Sequence, residues 1–313
     1  MFASASGFSS TLEKSGGGSA PERLLGYAEI AFALAEVAQA SSVRREISEA
    51  LGIEAASPAD LYELFVKELP PFASIYLSSD GNIGGEIQSV IAGFYHVLGV
   101  STPSDPDHLS SLLALLAGVL SKEAELTGDG GAKGDGMRLS SVRRSKSVLI
   151  AEHLMSWLPA YLLRAKEVAP AELLGWVSCA MDLVSAVCEP EPAAVLSEES
   201  EPPAAIASVA ELVKWITTPS CSGLILCPSD ISSMAGSLGL ALRVGRKRFV
   251  LEELASQADP SQLLSLFVVA AHRQEELFEL YSAEFSLLRS WVARAKRSRE
   301  ILSSAELMAR IAK

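Results

Sequence analysis

The chain has 313 residues, a formal charge of −12 and an apolar fraction of 49%, enough to bury one or two cores. Such acidity excludes a general nucleic-acid binder, which needs clustered Lys and Arg to neutralise phosphates, and it fits a cationic partner. The longest apolar runs, Leu112–Leu120 and Leu263–Ala271, fall far short of the ~20 residues of a bilayer span. No stable membrane insertion is therefore expected, and the location expected is cytoplasmic.

Ala, Leu and Ser dominate and aromatics make up only 6%, a balance of helix formers that predicts an all-α protein. Residues 1–19 are rich in Ser, Gly and Ala, with neither the basic start nor the apolar stretch of a signal peptide, and read as a disordered tail. Pro21 opens a helix to about Ala40, with proline where its missing N–H costs nothing. A second helix, Val43 to Leu51, stops at Gly52, and a third starts at Ser57-Pro58 and ends before Pro70-Pro71. Ile83 to Leu98 is a helix capped by Gly99. Asp105 and Pro106 start the next, to about Leu126, with Asp105 as N-cap.

Thr127 to Gly136 is a Gly- and Asp-rich loop whose Lys133 lacks the spacing of a phosphate-cradling loop. No cofactor is expected. A helix from Ser140 to Trp157 is bent or broken at Pro159, and Pro170 begins another that ends near Val187. Residues 189–203 carry five Glu and four Pro, the composition of an extended, self-repelling linker. This divides the chain into a helical domain, 20–188, and a mainly helical C-terminal region, 204–313. In that region Ile206 to Ile216 is helical, Pro219 to Cys227 irregular, and Ser229 caps a helix to Gly239. Pro260 opens a helical stretch to about Arg299. Cys179, Cys188, Cys221 and Cys227 form no C-x-x-C pair and read as reduced thiols.

Four short segments stand out in order. Pro71-Phe72-Ala73-Ser74-Ile75-Tyr76 begins as a turn. Tyr95-His96-Val97-Leu98-Gly99 ends a helix, and Asp105-Pro106-Asp107-His108 starts one. Glu152-His153 and Trp157 sit late in another. Local structure accounts for each: Asp107 places negative charge on a first helical turn, and His153 and Trp157, four apart, share a helix face.

Taken together, the segments resemble the TorD/DmsD/NarJ family of redox-enzyme maturation chaperones over roughly residues 20–190. Phe72 stands where that family has Tyr, Asp105 where it has Glu, and Leu112 where a carboxylate is usual. The resemblance implies a TorD-like helical bundle, no catalysis, and binding of the N-terminal leader, twin-arginine or remnant, of a molybdopterin-containing oxidoreductase. Such binding assists cofactor insertion and delays export. An acidic rim would meet the leader's arginines and an apolar groove its hydrophobic face. The residues it points to are Asp107 and His108 at the groove, with Tyr76, Tyr95, His96, Glu152 and Trp157 near or beneath it.

Two other readings stay open. One is a metal-dependent hydrolase using His96, Asp107, His108 and Glu152, although no Glu-x-x-His or H-E-x-x-H motif is present. The other is a helical scaffold subunit. The chain is compatible with a monomer or with a dimer that exchanges about a hinge in 189–203.

Overall fold

The computed structural model describes residues 19–39, 43–128, 135–188 and 206–311. The tail expected over residues 1–18, the linker and exchange hinge of 189–203, and most of the glycine-rich loop lie outside the described residues. Among the described residues all regular structure is helical, with one isolated β-bridge, Phe72 with His108. The chain divides into two compact units, residues 1–73 with 86–190 and residues 74–85 with 191–313.

The first unit is built on α1 (Ala20–Gln39) packed lengthwise against α6 (Leu109–Gly128). Both helices bury an aliphatic stripe, Ile30, Leu34 and Val37 on α1 and Leu109, Leu112, Leu113 and Leu116 on α6, the 3.6-residue periodicity of a core-facing surface. Helix α2 (Arg45–Leu51) ends on Gly52 at φ +66°, and α3 (Pro58–Tyr62) starts with a capping box between Ser57 and Asp60. A π-helical turn, Glu63–Glu68, follows. Helix α4 (Ala73–Leu77) carries the chain from the first unit into the second, and α5 (Gly85–Val97) brings it back.

After α6 come α7 (Asp135–Val148), a second π-helical turn, Leu149–Leu154, and α8 (Leu158–Val168). A 3-10 turn, Ala171–Leu173, leads into α9 (Leu174–Val187). The Trp176 indole N–H donates to Leu34 O at 3.1 Å, tying α9 to α1, and the ring meets Phe65 edge-on at 4.9 Å. Gly175 permits this seat: a Cβ there would lie 2.4 Å from Leu51 O.

In the second unit, α10 (Val209–Ile216), α11 (Pro219–Ser222), α12 (Pro228–Ser237) and α13 (Lys247–Gln257) precede a hairpin of α14 (Pro260–Tyr281) and α15 (Leu288–Leu302), closed by α16 (Ala305–Ile311). Their core joins Leu212, Trp215, Leu251, Phe267 and Leu302. The buried Gln274 amide reads the extended segment 224–227 as a neighbouring strand would: Ile225 N donates to its Oε1 at 2.8 Å and its Nε2 donates to Ile225 O at 3.2 Å.

Three expected elements are corrected. The helix expected from Asp105 begins at Leu109. Asp105–His108 is instead a turn closed by His108 N donating to Asp105 O, and residues 107–109 are held extended against 71–73. The helix expected to run through Trp157 leaves α-geometry at Leu149, and Trp157 caps the next helix. The stretch from Pro260 breaks after Tyr281, where the buried Phe285 anchors the turn between α14 and α15.

Candidate functional site

The first unit carries an open groove of about 860 Å³ between α5, α6 and α7. Tyr95, Val97 and Leu98 come from the end of α5, and Val100, Ser101 and Pro103 from the loop after it. The floor is the face of α6 that presents Ser111, Ala114, Leu115, Gly118 and Val119, and the far wall is Ser141, Val142 and Ser145 of α7. Ala114 and Gly118 are small and exposed, and a Cβ on Gly118 would have no neighbour within 4 Å. The groove exists because these positions carry almost no side chain.

Helix α7 is strongly polar and has little apolar surface to hold it in place. A buried carboxylate does that work: Glu123 of α6 accepts from Arg143 Nε and pairs with Lys146 Nζ, each at 2.9 Å. With a cation of α7 facing each oxygen, such an ion cluster fixes helix register even where its net contribution to stability is small. At the other wall, Gly99 at φ +70° ends α5 and turns the chain along the groove mouth. Val97 is left 82% exposed.

The seven residues expected at the site are distributed as follows. Tyr95 lines the groove; it is buried, its hydroxyl donates to Ser111 O at 2.7 Å, and burial pushes its pKa well above the ordinary phenol value. His96 is exposed on α5 next to the groove-lining Val97.

His108 caps α6. Its Nδ1 accepts from Ser110 N at 3.2 Å and lies 2.7 Å from Ser110 Oγ, which leaves the proton of the neutral ring on Nε2. Ser110 is itself a groove residue, so the imidazole positions part of the wall. Phe72 meets the imidazole edge-on at 4.7 Å. Burial lowers the His108 pKa, with Asp105 and Asp107 opposing. Asp107 is fully buried and its carbonyl accepts from Ala73 N at 2.9 Å; it anchors the turn and is not part of the groove lining.

Glu152 is exposed, while its neighbour His153 is buried against Phe94 at 4.9 Å between ring centroids. Successive helical residues point about 100° apart, and here the Met155 N–H reaches back five residues to Ile150 O at 2.8 Å to close the π-turn around the pair. Burial also lowers the His153 pKa, against Glu152. Trp157 is wholly buried, with its indole N–H donating to His153 O at 2.9 Å and its ring edge-on to Tyr161. Tyr76 is buried within the second unit.

The groove lining contains no carboxylate among the described residues, and Lys122 is its single charged member. The acidic rim expected from the sequence is not in the wall itself; Glu123, next to Lys122, is buried, and the exposed Asp105 lies two residues past Pro103. The donors of the hydrolase reading do not converge: among the described residues no three His, Cys, Asp or Glu side chains are placed to hold a metal ion. The expected residues missed Ala114, Gly118, Ser141 and Val142. The one sign of them in the sequence is the spacing of Ser111, Ala114, Gly118 and Lys122 along one face of α6.

A family model described as nitrate reductase delta subunit matches residues 29–162, the stretch from within α1 to within α8 that builds the whole groove. Chaperone protein TorD of Vibrio vulnificus strain YJ016 is 30% identical over 138 residues, 42% of this chain and 60% of that protein. Over this stretch the chain is similar to the TorD-like chaperones. The TorD of strain CMCP6 is 29% identical over the same length. The chain spans about 60% of the length of these TorD-like relatives. No solved structure matches. Among the described residues no helix is long and apolar enough to cross a membrane.

Proposed function

We propose that the first unit is a maturation chaperone that holds a polypeptide leader and makes or breaks no covalent bond. Its client is the precursor of a molybdopterin-containing oxidoreductase, and the groove between α5, α6 and α7 takes the apolar, helix-forming half of the leader. The observation that carries this reading is the groove: about 860 Å³ lined mainly by apolar and hydroxyl side chains, within the family-matched stretch. Helix-in-groove binding needs an apolar trough with few competing charges, and its volume falls in the range of roughly 300–1,000 Å³ of small binding sites.

The leader's cationic start pairs with carboxylates outside the trough. Asp105 at the mouth is the first candidate, and the chain's charge of −12 speeds encounter with any basic segment. His108 and Asp107 act at one remove, by fixing the start of α6. Holding the leader this way delays export and leaves the client open while its cofactor is inserted.

Calorimetric titration of the full chain with leader peptides of molybdoenzyme precursors from the same organism tests the reading. The intact leader binds. A leader whose apolar half is replaced by Ser and Gly loses binding, and one whose arginines are replaced by Gln binds more weakly and with less dependence on salt. Equal binding by all three peptides, or by none, contradicts the proposal.

A further inference from the structure

Arg294, on α15 of the second unit, stands in a setting unlike its neighbours. Arg299, one and a half turns on, pairs with Glu275, and Arg310 with Glu306. Arg294 has no such carboxylate among the described residues, and its Nε is buried without a hydrogen-bond partner. Its guanidinium carbon lies over the Trp291 ring, 4.7 Å from the centroid. A desolvated cation without a counter-ion is costly in a folded protein, and burial pulls this guanidinium down to about 10.

The surrounding fold is built to place it. Gly223 follows α11 at φ +70°, and a Cβ there would lie 2.5 Å from Arg294 Cβ and 2.6 Å from Ala295 N. The backbone of α15 therefore closes directly onto the Pro219–Ser222 turn, where Ser298 Oγ donates to Ser222 O at 2.5 Å. That contact sets Arg294 near Cys221, whose charge opposes the effect of burial. Cys221 is half-exposed, with its thiol directed to Ser79 O at 3.8 Å, and Ser220 Oγ donates to Ser78 O at 2.6 Å. The hydroxyl and the thiol are thus engaged with main-chain carbonyls, and the guanidinium is left as the open donor.

We propose that Arg294 is the seat of a carboxylate-binding site on the second unit, with the ligand's planar anion on the guanidinium fork beside the Trp291 ring. One fork with five N–H donors matches a carboxylate bidentately. A single planar fork serves a tetrahedral dianion less well. The site is built from residues of the second unit alone and does not depend on the leader-groove assignment.

The test is a titration of the full chain, with the Arg294 Nε–H resonance followed by NMR and identified by its absence in Arg294→Lys. Succinate, phosphate and chloride are compared at constant ionic strength. The expected result is a saturable shift with succinate, at least tenfold weaker binding of phosphate, and no saturation with chloride. A tetrapeptide with a free C-terminal carboxylate, set against its amide, distinguishes a small-molecule source from a polypeptide terminus. Binding of either carboxylate carries the proposal, and the preference assigns the source. Arg294→Lys keeps the charge but loses the fork, and weakens succinate binding at least tenfold by tryptophan fluorescence; should it fail to fold, the wild-type titration decides. No saturable shift with any carboxylate, or an equal response to phosphate, overturns the proposal.

Discussion

The groove of the first unit and the concavity between α14 and α15 of the second differ in what lines them. The first has Lys122 as its single charged lining residue, while the second, about 570 Å³, is lined by His272, Glu275, Glu276, Glu279 and Lys296 with Leu280 and Val292. The first is empty because Ala114 and Gly118 withhold side chains. The second is spanned by the unit's own charges, with Arg299 on Glu275 and His272 against Glu276. An acidic protein would be expected to recognise a basic leader through its densest carboxylates, yet of those here Glu275 is already paired with Arg299 and Glu276 lies against His272. An apolar trough competes only with water, and burying apolar surface there is the larger source of affinity.

Disturbing the two regions should have very different consequences. The largest effect is expected from Trp157→Ala. It removes a wholly buried indole and its hydrogen bond to His153 O beneath the π-turn, and costs on the order of 3–5 kcal/mol in urea unfolding. If the loss is below about 1 kcal/mol, the turn is not held by this residue.

A pH effect comes next, in the first unit. Burial holds His108 and His153 below their ordinary value, so the unfolded chain takes up protons that the folded one refuses. The first unit is fully stable above about pH 6.5, the unfolded histidine value. Stability is lost as pH falls from there through the lower folded values. Hydrogen exchange on α6 and α8 reads this directly, and His153→Gln should flatten the profile. A profile that stays level from pH 7 to 5 contradicts the burial of both rings.

The smallest effect is expected in the acidic concavity. Glu276→Gln breaks an exposed pair and shifts stability by less than about 0.5 kcal/mol, with leader binding unchanged in calorimetry. A marked loss of binding would move recognition to the second unit.

What was legible in the sequence is local. The glycines that end α2 and α5 and the Ser57–Asp60 box carry their own signals, as does proline at the start of α12 and α14. The start of α6 was misread because Asp105-Pro106 is as good a turn as a helix cap. The choice is made by pairing with residues 71–73, more than thirty positions away. The π-turn at Leu149–Leu154 has no breaker of its own; packing of His153 and Trp157 rotates the helix there. Of the aromatic and histidine positions singled out from the resemblance, Tyr95 lines the trough, His96 adjoins it along α5 and His108 bonds the lining residue Ser110, while Tyr76 and Trp157 are not in the lining. Its lining is made by small and hydroxyl residues, whose role depends on which helix stands opposite.

Gly118→Phe offers the most direct test of the leader groove. The substitution fills the trough from a position where a Cβ meets nothing within 4 Å, and phenylalanine recovers roughly half of the about 1 kcal/mol by which glycine trails alanine within a helix. The variant should fold with an unchanged or raised melting temperature and lose at least a hundredfold in affinity for the leader by calorimetry. A folded Gly118→Phe protein that binds the leader as tightly as the parent would contradict the account.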